Sequence, residues 1–267
     1  MYRKVLSNLD SGEIIHPEDA AVIDRLNKIP GFKVFLQNTV QKFTESVTDV
    51  TYTGNGYGIT AESNPQLYNR LIEDCKILGM EKIPLMSSLW GYFISSDSVG
   101  EKRFRILITS GSVDLLTPEE LDFLIGYELG HFLCGHMPYR MLTEAVYSPI
   151  FNKSIAPGLI NLVKLPLLDW YRTSHLTADR MGLLCCQDIN AALRAMIKMS
   201  GIPKKYYDQI NINAFIKQAE EFSENYSSTI DQLMRDLSIR TAESPWMVMR
   251  AKQLMDWYND EYQSFIE

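Results

Sequence analysis

The segment Thr117–His136 limits the possible folds of this chain more than any other. It opens Thr-Pro-Glu-Glu: a hydroxyl that caps a helix, proline at the first helical position, and at Glu120 the carboxylate that completes a capping box. Leu121-Asp122-Phe123-Leu124-Ile125-Gly126-Tyr127-Glu128-Leu129-Gly130-His131 follows, apolar enough that its centre has to be buried. The pattern predicts one helix from Thr117 to about Arg140. Glu128 lies in the middle of the apolar run, and a buried carboxylate needs a partner.

The rest of the chain reads as elements packed around that helix. Helices are expected around Pro17–Asn27 and Lys33–Glu45, then an extended piece over Asp49–Ala61 with a Gly-Asn-Gly turn at Gly54–Gly56. Asn64 caps a helix over Pro65–Leu78. Ile83–Met86, Leu89–Ser95 and Arg103–Thr109 are short, rich in apolar and aromatic residues, and read as strands of one small sheet. Further helices are expected over Leu168–Gln187, from Asp188 to Ser200, over Tyr206–Ser223 and Thr229–Thr241, and from Ser244-Pro245 to the end. The class is α+β, mostly helical, with a small β-sheet on a helical bundle. The expected division is a helical N-terminal extension over 1–48 and one main domain over 49–267.

Composition excludes some functions. With a formal net charge of −7 and no block of basic residues, the chain lacks the footprint of a nucleic-acid binder. Cys75, Cys134, Cys185 and Cys186 form no C-x-x-C pair, so a zinc ribbon is excluded; they read as buried, reduced thiols. The first residues lack the apolar stretch of a secretory signal, and the expected location is cytoplasmic. The most apolar stretch, 148–168, is broken by Asn152, Lys153, Pro157, Gly158, Asn161, Lys164 and Pro166. It is too interrupted for a transmembrane span. It reads as an ordered hairpin over the Thr117 helix, with peripheral membrane contact as the alternative.

Two pairs of residues carry the chemistry. Tyr127 and His131 share a helix face one turn apart, with Glu128 beside them. This is the arrangement of H-E-x-x-H, in which two histidines hold zinc and the glutamate activates its water, except that tyrosine takes the first ligand position. His175 and Asp179 are again four apart on an expected helix, one suited to bind a metal and the other to orient a ligand. His136, five residues past His131, falls about 140° around an unbroken helix and reads as a packing or helix-end residue. A set of His131, His136 and His175 would require the helix to break at Gly135. His16 reads as a solvent-exposed or capping residue.

These segments resemble metallopeptidase family forty-eight, the HtpX-like and prenyl-protein-protease group. The similarity runs from about Asn64 to Leu254. It rests on Thr109-Ser110-Gly111 before Leu115-Leu116, on Glu119-Glu120-Leu121 leading into Glu128-Leu129-Gly130-His131, on Ala178-Asp179-Arg180-Met181-Gly182-Leu183, and on Ser244-Pro245 with Arg250. The resemblance implies a gluzincin, a zincin-type core holding one Zn²⁺. In it Glu128 is the general base, His131 a zinc ligand, Asp179 a residue that orients a ligand, and Arg250 a candidate for stabilising the oxyanion. Tyr127 stands where the family has a zinc histidine, His175 where it has a zinc glutamate, and Ser244 where it often has a histidine. The leading expectation is therefore an endopeptidase in which Tyr127, His131 and His175 hold the metal and a polypeptide is cleaved. The alternative is an inactive pseudopeptidase that binds a peptide or partner protein, with Tyr127 bonded to Asp179 and His175 to Glu128. Residues 1–48 are a candidate segment for gating the cleft.

Overall fold

The computed structural model describes residues 3–7, 9–43, 45–147, 157–225 and 246–266. Its centre is a pair of helices, α7 (Pro118–Leu133) and α9 (Pro157–Cys186). The capping box starts α7 as the sequence requires: Thr117 Oγ1 accepts from Glu120 N, and Glu120 Oε2 accepts from Thr117 N. The two helices come unusually close because α7 presents Gly126 and Gly130 to α9. A Cβ on Gly126 would lie 2.2 Å from Cys185 Cβ, and one on Gly130 would lie 2.5 Å from Met181 Cβ. No larger residue fits without moving the helices apart. This close approach brings the Tyr127–His131 face against His175 and Asp179.

A four-stranded sheet packs beside α7, in the order β1 (Tyr57–Gly58), β2 (Leu85–Leu89), β4 (Arg105–Thr109), β3 (Ser96–Val99). Strands β2 and β4 are parallel and the outer two are antiparallel to their neighbours. Edge strand β3 lies along α7 and contributes Ser96 and Asp97 to the site. Helices α5 (Pro65–Ile77, capped by Asn64), α10 (Ile189–Met199, capped by Asp188) and α12 (Met247–Asp260) complete the main apolar core around α7 and α9. A second core joins Val22 and Leu26 of α2 (Pro17–Asn27) and Phe32 to α8 (Met137–Tyr147) and to Ile160, Val163, Leu167 and Trp170 of α9. Helix α11 covers Ile212–Asn225 after a 3₁₀ turn at Lys204–Gln209. The chain is mostly helical with one small mixed sheet, the expected class.

Five expectations need correction. The expected strand Leu89–Ser95 is mostly the connection after β2, and the strand that follows is Ser96–Val99. Residues 45–55 form a helix, α4 (Glu45–Asn55), rather than an extended piece. Tertiary packing overrides its β-branched residues, and the helix carries Thr53 to Arg105, whose Nη2 donates to Thr53 Oγ1 at 2.9 Å. The stretch after Pro157 is not a hairpin: it is the first part of α9, which holds Pro166 inside it. The expected 148–168 hairpin otherwise lies outside the described residues, as does the expected helix Thr229–Thr241. The Thr117 helix ends at Leu133, and α8 begins at Met137, because Gly135 adopts φ +71° and turns the chain. His16 caps α2 through Nδ1, which accepts from Glu18 N at 3.2 Å, but it is buried rather than exposed. The four cysteines are free and buried, as expected. Among the described residues, no helix is long and apolar enough to cross a membrane.

Candidate active site

Close packing of α7 on α9 brings the three candidate ligand positions together. The Tyr127 hydroxyl hydrogen-bonds His175 Nδ1, and the two rings stack nearly parallel with centroids 6.0 Å apart. His131 sits edge-on to both, 4.9 Å from Tyr127 and 5.8 Å from His175. All three side chains are buried. They pair with one another and with other groups.

His131 is engaged at both nitrogens. Its Nε2 lies 3.0 Å from Nη1 of Arg140, and its Nδ1 lies 2.9 Å from Nδ1 of His136. A guanidinium only donates, so Nε2 must be the accepting lone pair and Nδ1 must carry the proton. His136 then accepts at Nδ1 and is protonated at Nε2, which lies 3.0 Å from Asp19 Oδ2 with its N–H off the line to that oxygen. Asp19, from α2, also accepts from Thr177 Oγ1 of α9 at 2.6 Å. The turn at Gly135 creates this chain of contacts: it folds His136 back onto His131 and aims Arg140 into the site. His136 is a packed residue at a helix end, as expected, but the break sets it against His131 instead of about 140° around one helix.

Arg140 is buried beneath the ring of Tyr171, 5.4 Å from its centroid, and its Nη2 pairs with Asp97 of β3. Glu128, fully buried, accepts from Ser96 Oγ at 2.6 Å through Oε1, while Oε2 has no hydrogen-bond partner. Burial pushes its carboxyl up to about 7, against the lowering pull of the Arg140 charge and with a further push from Asp97. Burial likewise raises Tyr127 well above the ordinary phenol range, opposed by Arg250. It lowers His131 and His175 well below the ordinary imidazole range, helped by Arg140 at the first and by Arg250 and then Arg140 at the second. Both imidazoles are neutral at pH 7, and Tyr127 is a phenol.

Asp179 and Arg250 form a two-point pair: Nε to Oδ2 at 2.9 Å and Nη2 to Oδ1 at 2.6 Å. The guanidinium also lies over the Tyr127 ring, 5.2 Å from its centroid. Asp179 therefore orients Arg250 rather than an imidazole or Tyr127. Arg140, Asp97 and Ser96 were not among the candidate site residues, and His136 entered only in the alternative set that requires a break at Gly135, where the helix does end. Helical spacing has no means of relating residues across a break or from a strand.

The donor set does not fit a catalytic zinc ion as it stands. Such a site needs three protein ligands with free lone pairs and a position for water. The His131 lone pair is used by Arg140, and the Tyr127 oxygen is used by His175. His175 Nε2 is buried without a partner and is the one imidazole nitrogen left over in this trio. Among the described residues, no group of three His, Cys, Asp or Glu side chains is placed to hold a metal.

Comparison with known proteins gives the evolutionary frame. The family model described as Peptidase family M48 matches residues 98–256. A similar protein is the plastoglobule-localized metallopeptidase 48, chloroplastic, of Arabidopsis thaliana: 29% identical over 272 residues, covering 98% of this chain and 77% of that protein. No solved structure matches the chain. The relative's chloroplast location overturns the cytoplasmic expectation, which rested on the lack of an apolar leader stretch and on the reduced thiols. The match takes in Glu128, His131, Arg140, His175, Asp179 and Arg250 and leaves Asp19, Ser96 and Asp97 outside it: this chain belongs to peptidase family M48.

Proposed function

We propose that this protein is a non-hydrolytic member of its family, a metallopeptidase framework that binds polypeptide without cutting it. One observation carries the reading: Tyr127 and His175, at two of the three ligand positions, are hydrogen-bonded to each other. A pair that satisfies itself in a buried place has little to gain by ionising and separating around a metal. The burial that raises the Tyr127 hydroxyl opposes the tyrosinate form that ligation requires.

Polypeptide is the expected ligand class because β3 is an edge strand of the sheet. Strand β3 ends the sheet beside Glu128, and an extended peptide can add to such an edge through main-chain hydrogen bonds. Trp90, Tyr92 and Phe93, in the connection between β2 and β3, are 84%, 80% and 64% exposed and offer aromatic contacts next to that edge.

A second reading, one Zn²⁺ held by Tyr127, His131 and His175 in a live endopeptidase, is favoured by the unpartnered Glu128 Oε2 and His175 Nε2. Buried polar atoms of this kind ask for a ligand or a water. One assay separates the readings. The purified chain is incubated with reduced, carboxymethylated β-casein, with and without added zinc, and fragments are read by mass spectrometry. The non-hydrolytic reading expects intact casein in both, together with saturable binding of a labelled casein peptide. Zinc-dependent fragments that disappear in Glu128→Gln would replace it with the endopeptidase.

A further inference from the structure

We propose that Arg140 is the resident cation of this site: a tethered side-chain charge that occupies the His131 lone pair and keeps divalent metal out. The inference rests on the non-hydrolytic reading and adds the device that maintains it. Three observations support it. The first is stoichiometric. A neutral imidazole has one lone pair, and that of His131 is taken by Arg140 Nη1 at 3.0 Å, while its other nitrogen faces His136 at 2.9 Å. A metal could reach His131 only by displacing the guanidinium.

The second observation is electrostatic. The Arg140 charge lies among the same acids a dication would attract. Its Nη2 pairs with Asp97, and its field acts against the burial that raises Glu128. Arg250 is already paired to Asp179, so the two guanidinium groups together answer the acidic side chains of the site. A dication entering this space would meet two fixed positive charges with little solvent between them.

The third is mechanical. Arg140 is not a surface side chain that happens to lean inward. The left-handed turn at Gly135 aims α8 so that Arg140 enters, and the Tyr171 ring supports its flat face. An arginine does not dissociate, so the charge stays at any metal concentration or pH the folded chain survives.

The test is zinc binding to the full chain by calorimetry, with thermal unfolding as a second readout. Tyr127→His restores an imidazole at the first ligand position, making a three-histidine set with His131 and His175. Tyr127→His/Arg140→Met also removes the guanidinium at nearly constant length. The proposal expects negligible zinc binding by the wild type and by Tyr127→His. The double variant should bind one equivalent, at least 100-fold more tightly than Tyr127→His, and only its melting temperature should rise on adding zinc. Equal zinc affinity in Tyr127→His and the double variant would overturn the role of Arg140 while leaving the non-hydrolytic reading intact. Stoichiometric zinc on the wild type would overturn both. If circular dichroism shows the double variant unfolded, Arg140→Gln and Arg140→Lys in the Tyr127→His background make the same comparison. Zinc gained with the neutral glutamine but not with lysine supports the proposal, and equal binding by the two rejects it.

Discussion

Arg140 and His131 stand on different helices, nine residues apart, yet the guanidinium Nη1 lies 3.0 Å from the imidazole Nε2. In an unbroken helix nine residues amount to about half a turn of offset, which would put Arg140 on the opposite face. A double-mutant cycle with Arg140→Met and His131→Leu, measured by denaturant unfolding, should give a coupling energy of about 1.5–3 kcal/mol, the range for a charge-assisted hydrogen bond. Additive single effects would mean that the two groups do not interact in solution.

The buried Asp179–Arg250 pair offers a second test. Both side chains are buried, so removing one leaves an uncompensated charge. Arg250→Met or Asp179→Asn should each lower unfolding free energy by about 3–5 kcal/mol. The double variant Asp179→Leu/Arg250→Met should lose less than the worse single. Greater loss in the double would argue that the residues act separately.

The glycines between α7 and α9 make a prediction of sign. Alanine in place of a mid-helix glycine normally stabilises by up to about 1 kcal/mol. At Gly130 the new Cβ would fall 2.5 Å from Met181 Cβ, so Gly130→Ala should instead destabilise by about 1–3 kcal/mol. Near-ultraviolet circular dichroism should change with it, as separation of the helices disturbs the Tyr127–His175 contact. A stabilised Gly130→Ala protein would contradict the close approach.

Glu128 should be visible in the pH dependence of stability. Its folded pKa, about 7, lies above the reference 4.5, so the folded state holds more protons than the unfolded one between those values. Its contribution is therefore fully present below about pH 4.5 and lost as pH rises to 7. His131 and His175 work in the opposite direction. Their lowered values mean that stability rises with pH up to the unfolded imidazole value of about 6.5. Glu128→Gln removes only the first effect. Between pH 5 and 8 the variant should gain on the wild type by an amount on the order of 3 kcal/mol. A constant difference across that range, by denaturant unfolding, would show that the carboxyl is not raised.

Much of the framework is legible without coordinates. The α7 start follows from Thr117 and Glu120, and the starts of α5 and α10 from Asn64 and Asp188, because capping is a contact between near neighbours. The pairings of Tyr127 with His131 and of His175 with Asp179 are also local, as helical periodicity sets which side chains share a face. The segment 45–55 shows the limit: its valines and threonines favour a strand, and contact with Arg105 and the sheet coincides with a helix instead.

The sequence alone determined that a buried carboxylate and imidazole sit on one helix and that an imidazole and carboxylate on another can meet them. The departures at Tyr127 and His175 from the family's ligand types are expected from the resemblance alone. Only the tertiary structure decided what those groups touch: Tyr127 on His175, Arg250 on Asp179, Ser96 on Glu128, and Arg140 on His131. The physical reason is range. Helix periodicity and capping act over a few residues, whereas the partner of a buried charge is chosen by how separate elements pack, and here by a single left-handed turn at Gly135.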